Sequence, residues 1–147
     1  MKIIVASGYF DPIHIGHIEL LKKAKELGDK LIVIINNDGQ TILKKGFAFM
    51  PHKERAKIIT ELACVDEVFI SIDKDRTVCK SLAHLKPDIF AKGGDRTSDE
   101  IPEAKTCKEH NIQIIDRLGE KIQSSSDLIK KSKEHLNLNN EILDLTK

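Results

Sequence analysis

Two histidines, His14 and His17, stand three residues apart in Ser7-Gly8-Tyr9-Phe10-Asp11-Pro12-Ile13-His14-Ile15-Gly16-His17. Imidazoles at that spacing can give hydrogen bonds or positive charge to one anion. Gly8 lacks a Cβ and permits close approach, so the N–H groups of Gly8, Tyr9 and Phe10 can cradle phosphate. An apolar run, Ile3-Ile4-Val5-Ala6, precedes the stretch and reads as a buried strand; an amphipathic run, 18–27, follows and reads as a helix. A helix N-terminus at a strand's carboxyl end offers N–H groups and a positive dipole end, which suits phosphate. Asp11 has several readings: a loop-ordering carboxylate, a magnesium-linked one, or a cap on Ile13 or His14.

Further polar clusters follow later apolar runs: Asn36-Asn37-Asp38, Gly93-Gly94-Asp95-Arg96, and residues 121–126. Parallel topology would bring most of them to the same sheet edge as the histidines. Arg55 falls in the first turn of a helix, where a cation opposes the dipole, so a phosphate partner fits it. Ser124, Ser125 and Ser126 combine three hydroxyls with a helix start.

The elements that must position these residues alternate. Strands are expected at 2–6, 31–35, 65–70, 87–92 and 112–115, and helices at 17–27, 52–63, 75–85, 102–110 and 124–136. Gly28 reads as a helix stop. Residues 40–50 have weak periodicity and read as a mobile loop. The order implies one α/β domain over 1–136, a Rossmann-like five-stranded parallel sheet with helices on both faces, and a tail at 137–147.

Composition narrows the partners. The chain has 147 residues and a net charge of +1, which implies no polyanion. Aromatic residues are 4% of the chain, too few for a base-stacking nucleic-acid platform. Cys64, Cys79 and Cys107 are odd in number and far apart, against a disulfide framework or a zinc site. Cys64 and Cys107 fall within expected helices and read as small core residues. With a strand at its start the sequence is expected to lack a signal peptide, and no apolar run approaches the roughly 20 residues of a membrane span. A cytoplasmic protein is the expectation.

Gly8-Tyr9-Phe10-Asp11-Pro12-Ile13-His14-Ile15-Gly16-His17 resembles the GxFDxxHxGH signature of the cytidylyltransferase-like nucleotidyltransferases, whose tetrapeptide is HIGH. The resemblance continues through Leu27-Gly28-Asp29, the lysines Lys44 and Lys45 before Gly46, Glu54-Arg55, Val65-Asp66-Glu67-Val68 and Lys86-Pro87-Asp88. Lys92-Gly93-Gly94-Asp95 is most similar to heptose-phosphate adenylyltransferase domains; Gln123 to Ser126 stands where relatives have a Ser/Thr-rich helix start. The chain departs from the "RTEGISTT" pattern of glycerol-phosphate cytidylyltransferases, since Arg117 and Lys121 flank Gly119 here.

The resemblance implies transfer of a nucleoside monophosphate from ATP or CTP, with magnesium, to a small phosphorylated sugar or alcohol. Pyrophosphate leaves and no covalent enzyme intermediate forms. His14 and His17 would act on the phosphates, and Lys44 or Lys45 would close over the triphosphate. Gly8, Tyr9, Phe10, Asp11, Gly16, Lys92, Gly94, Asp95, Ser124, Ser125 and Ser126 would bind nucleotide. Asp38 and Arg55 would bind the substrate. A homodimer is also implied, without nucleic acid or membrane. The alternatives are a cytidylyltransferase for glycerol-, ethanolamine- or choline-phosphate, and a nucleotide-binding module without turnover.

Overall fold

The computed structural model describes residues 1–93 and 101–118. The apolar runs at 3–8 and 30–35 form β1 (Ile3–Gly8) and β2 (Lys30–Ile35), both covered on two faces. With β3 (Glu67–Ile70), β4 (Ile89–Gly93) and β5 (Gln113–Leu118) they make a five-stranded sheet ordered β3-β2-β1-β4-β5. Every pairing is parallel, and Ile4 lies between Leu31 and Ile89. The helices are α1 (Ile15–Glu26), α2 (Asp38–Lys45), α3 (His52–Thr60), α4 (Cys79–Leu85) and α5 (Ala104–Glu109). This is the α/β Rossmann-like architecture expected.

Side-chain alternation along β1 divides the core. Ile4 and Ala6 pack with Leu21 and Ala24 of α1 and with Ile59 of α3. Val5 points the other way, into a cluster with Leu82 of α4 and Cys107 of α5. The chain steps outward from β1 to β3, then crosses back to β4. The strand order therefore reverses beside β1, and the crevice expected at such a reversal lies at the carboxyl ends of β1 and β4.

The amino edge of the sheet is closed by carboxylates. Asp29 accepts from the Lys2 N–H at 2.7 Å, Asp88 from the Ile3 N–H at 2.8 Å, and Asp66 from the Leu31 N–H at 2.8 Å. Gly28 stops no helix by a left-handed turn. A Cβ there would lie 2.8 Å from the Lys2 carbonyl, so its need is close approach to β1.

Three expectations are corrected. Residues 40–45 are helix and not loop, because α2 occupies 38–45, and only 46–50 remain as a connection. Asn37 accepts from the Gln40 N–H at 2.9 Å while Gln40 accepts from the Asn37 N–H at 3.0 Å, a reciprocal cap that starts a helix despite weak periodicity. The helix expected from 75 begins at Cys79, because residues 71–78 form a hydrogen-bonded loop. Cys64 lies in the turn after α3, though it still packs on the core, as Cys107 does within α5. The expected helix at 124–136, the 137–147 tail and the boundary between them lie outside the described residues. No described helix is long and apolar enough to cross a membrane.

Candidate active site

β1 ends at Gly8, and the loop that follows delivers His14 and His17 to the first turn of α1. The two imidazoles stack, with ring centroids 3.7 Å apart and planes 23° apart. His14 Nδ1 accepts from the Gly16 N–H at 3.1 Å, and His17 Nδ1 accepts from the His14 N–H at 3.1 Å. A nitrogen that accepts carries no proton, so each ring holds its proton on Nε2. Burial lowers the pKa of His14. Burial, then His14, Lys45 and Lys44, push His17 from 6.5 down to about 3. Both rings are therefore neutral near pH 7. Of the two options open at the start, hydrogen bonding fits this geometry and positive charge does not.

Phe10 supports the pair. Its ring is buried, meets the His17 ring edge-on at 4.8 Å, and sits on a backbone in the left-handed region at φ 51°. A Cβ on Gly8 would come 2.9 Å from the Phe10 ring. The glycine thus clears space for Phe10, and the Phe10 side chain buttresses His17 instead of meeting nucleotide. Gly16 gives its own N–H to His14, which leaves that donor committed within the motif.

Asp11 resolves toward loop ordering. Its carboxylate is wholly buried and accepts from the Phe49 N–H at 2.7 Å and the Met50 N–H at 2.6 Å. Lys45 Nζ donates to the Asp11 carbonyl at 2.5 Å and lies 3.7 Å from its Oδ2. The segment after α2 is thereby tied to the histidine loop. Asp11 does not fit a magnesium ligand, because both oxygens hold amides. Among the described residues, no group of three His, Cys, Asp or Glu side chains could hold a metal ion.

Arg55 is corrected from a phosphate contact to a keystone. It is 1% exposed. Nε donates to the Met50 carbonyl at 2.9 Å, and Nη1 to those of Tyr9 and Asn36 at 2.6 and 2.8 Å. Nη2 donates to Asp38 Oδ1 at 2.8 Å. One guanidinium thus joins the segments after β1, after β2 and before α3. Asp38 is correspondingly engaged and also accepts from the His52 N–H at 2.8 Å. Its Oδ2 lies 3.5 Å from His52 Nδ1, but that nitrogen accepts from the Asp38 N–H at 2.9 Å, so the two do not form an ion pair.

The cations of α2 face the site. Lys44 Nζ stands 4.3 Å over the Tyr9 ring, and both lysines act electrostatically on His17. Lys92 is the penultimate residue of β4, its Nζ 5.6 Å over the buried Phe90 ring. The structure thus gathers His14, His17, Tyr9, Lys44 and Lys45. Gly94, Asp95, Ser124, Ser125 and Ser126 lie outside the described residues. Sequence reasoning passed over Gln40, His52 and Arg76, all at this edge. The Asn37–Gln40 spacing after a strand was a legible cap signal; nothing local marked Arg76.

The cytidylyltransferase-like family matches residues 5–134. The bifunctional protein HldE of Streptomyces coelicolor is 38% identical over 115 residues, 77% of this chain and 24% of that protein. The FAD synthase of Ferroglobus placidus is 38% identical over 100 residues, 68% of this chain and 64% of that one. The lipopolysaccharide core biosynthesis protein of Thermoplasma volcanium superposes with a TM-score of 0.69 at 29% identity, covering 81% of this chain and 97% of that one. The chain spans about a quarter of the HldE proteins it matches. A family match over most of the chain, on a parallel sheet whose reversal point carries the paired histidines, places the chain in the cytidylyltransferase-like family of nucleotidyltransferases.

Proposed function

We propose that the chain transfers a nucleoside monophosphate from an NTP to a small phosphorylated sugar, most like a heptose-phosphate adenylyltransferase. The observation that carries this reading is the histidine pair, stacked, neutral and fixed through both Nδ1 atoms. An acceptor phosphate oxygen attacks the α-phosphorus. The new P–O bond forms as the bond from α-phosphorus to the bridging oxygen breaks, and pyrophosphate leaves with that electron pair. His14 and His17 donate from Nε2 to the α- and β-phosphates as charge develops there. Lys44 and Lys45 supply a positive field without a proton transfer. Tyr9 and the backbone N–H groups of Gly8 and Phe10 line the phosphate path, and Lys92 meets it from β4. Asp11, Arg55 and Asp38 hold the segments in register, so their contribution is positioning. Magnesium belongs to the NTP as substrate, since the donor set among the described residues does not suit a resident ion.

Cytidylyl transfer to a phosphorylated alcohol is the second reading, favoured by the family match itself. A homodimer is part of the proposal and is read by light scattering. The test is a pyrophosphate-release screen that crosses ATP, CTP, GTP and UTP with phosphorylated sugars and alcohols. His17→Ala is the blank. Release with ATP and a sugar phosphate supports the leading reading, and release with CTP and an alcohol phosphate the second. An NTP that binds yet yields nothing with a broad acceptor panel favours the module without turnover.

A further inference from the structure

Arg76 sits in the 71–78 loop, which leaves β3 at the sheet's carboxyl edge. Its backbone is clamped on both sides. The buried Gln40 reaches from α2 and donates to the carbonyls of Asp75 and Thr77, each at 2.7 Å. Asp75 Oδ1 accepts from the Thr77 N–H at 2.9 Å and from its hydroxyl at 2.7 Å. Asn37 Nδ2 holds the carbonyls of Ser71 and Asp73, each at 2.9 Å. The buried Asp73 in turn accepts from the Ser81 hydroxyl at 2.7 Å. A loop fixed at this many points presents one exposed guanidinium.

That guanidinium lies beside the Tyr9 hydroxyl. Lys44 Nζ stands over the face of the same ring, and Lys44 also acts on His17. Glu103 is the acidic group that faces Tyr9. It is buried, and its carboxylate accepts from the Val78 N–H at 3.2 Å. The half-buried ring therefore has a planar fork at its hydroxyl and a point charge on its face, next to the histidines. A fork, a hydroxyl and an ammonium together match the oxygens of a phosphate group.

We propose that Arg76, Tyr9 and Lys44 form a phosphate subsite beside the histidine pair, with Arg76 as its specificity-determining residue. The proposal rests on the nucleotidyl-transfer reading for its place in a reaction. Its ligand chemistry is a terminal phosphate, from the acceptor's phosphomonoester or from the far end of the nucleotide. The loop that carries Arg76 is anchored to α2 through Gln40 and Asn37. One rigid unit thus presents both cations.

Tyr9 is the only tyrosine and the chain has no tryptophan, so tyrosine emission reports this subsite alone. Wild type, Arg76→Gln and Arg76→Lys are titrated with inorganic phosphate, AMP, and magnesium ATP and CTP, read by calorimetry and by Tyr9 emission. Arg76→Gln should weaken inorganic phosphate about tenfold or more, as expected for a lost charge-assisted hydrogen bond. Arg76→Lys should recover part of that loss, and AMP should be unaffected. A loss confined to the triphosphates supports the subsite with the nucleotide as its source. Unchanged affinity of Arg76→Gln for phosphate and triphosphates alike overturns the proposal, as does a wild type that binds neither. The phosphate arm needs no turnover. A wild type that binds phosphate but releases no pyrophosphate would contradict the transfer reading and leave the subsite standing.

Discussion

His17 shows how this site uses an ionisable group without ionising it. Its Nδ1 accepts a backbone N–H, and its pKa is held at about 3 by burial and by three neighbours. First, the linkage has a definite sign. The unfolded imidazole binds a proton near its ordinary value of 6.5, and the folded one only near 3. Stability from this group is present above pH 6.5 and falls as pH drops toward 3, by on the order of a few kcal/mol. Denaturant melts should show that slope in wild type and a shallower one in His17→Ala. The lowered carboxylates, Asp66 and Asp75, act in the same sense but below their ordinary 3.8, so they leave the window above pH 4 to the histidines. Second, turnover should not fall as pH drops through 6.5, because neutral donors are already in place. His14→Ala and His17→Ala should each lose about a hundredfold or more in kcat, the scale on which removing an oxyanion donor costs rate. A variant that kept near-full turnover would remove the assignment.

At the scale of elements, the site is a set of loops fastened by buried polar side chains. Arg55 holds three segments from below, and Asp11 fastens the residues after α2 to the histidine loop. Arg55→Met should cost about 3 to 5 kcal/mol, because three carbonyls lose their donor and Asp38 loses its guanidinium partner. Arg55→Lys should recover little of this, since an ammonium cannot reproduce the fork. Thermal melts of the two variants decide it. This is also where sequence and structure part. The strands at 3–8 and 30–35 were legible because apolar runs flanked by turn residues have few other solutions. The histidine motif was legible because its spacing is fixed by local geometry. Arg55 and Asp11 were legible as polar residues in the right place, but not in their roles. Most of their partners are backbone groups from other segments, 5 to 46 residues away for Arg55. Residue type does not display such contacts. Residues 40–45 are helical because a two-residue cap outweighs their weak apolar period.

Over the whole molecule, the two sheet edges divide the labour. Asp29, Asp66 and Asp88 close the amino edge, so these acids within the family-like segments secure strand starts and not the ligand. Cations and imidazoles gather at the carboxyl edge, where the strand order reverses beside β1. A nucleotide bound there stabilises the fold by mass action. At a hundredfold excess over Kd the melting temperature should rise about 5 to 10 °C. The nucleotide with the larger rise at equal concentration names the preferred base, and His17→Ala should reduce that rise. The most direct test of the central claim is phosphorus NMR of wild type with the NTP and acceptor that release pyrophosphate fastest. Wild type should show a new diphosphate bridge between acceptor and nucleoside and one pyrophosphate for each bridge, and His17→Ala should show neither. A nucleoside diphosphate with free phosphate or a doubly phosphorylated acceptor, and no bridge, would contradict it.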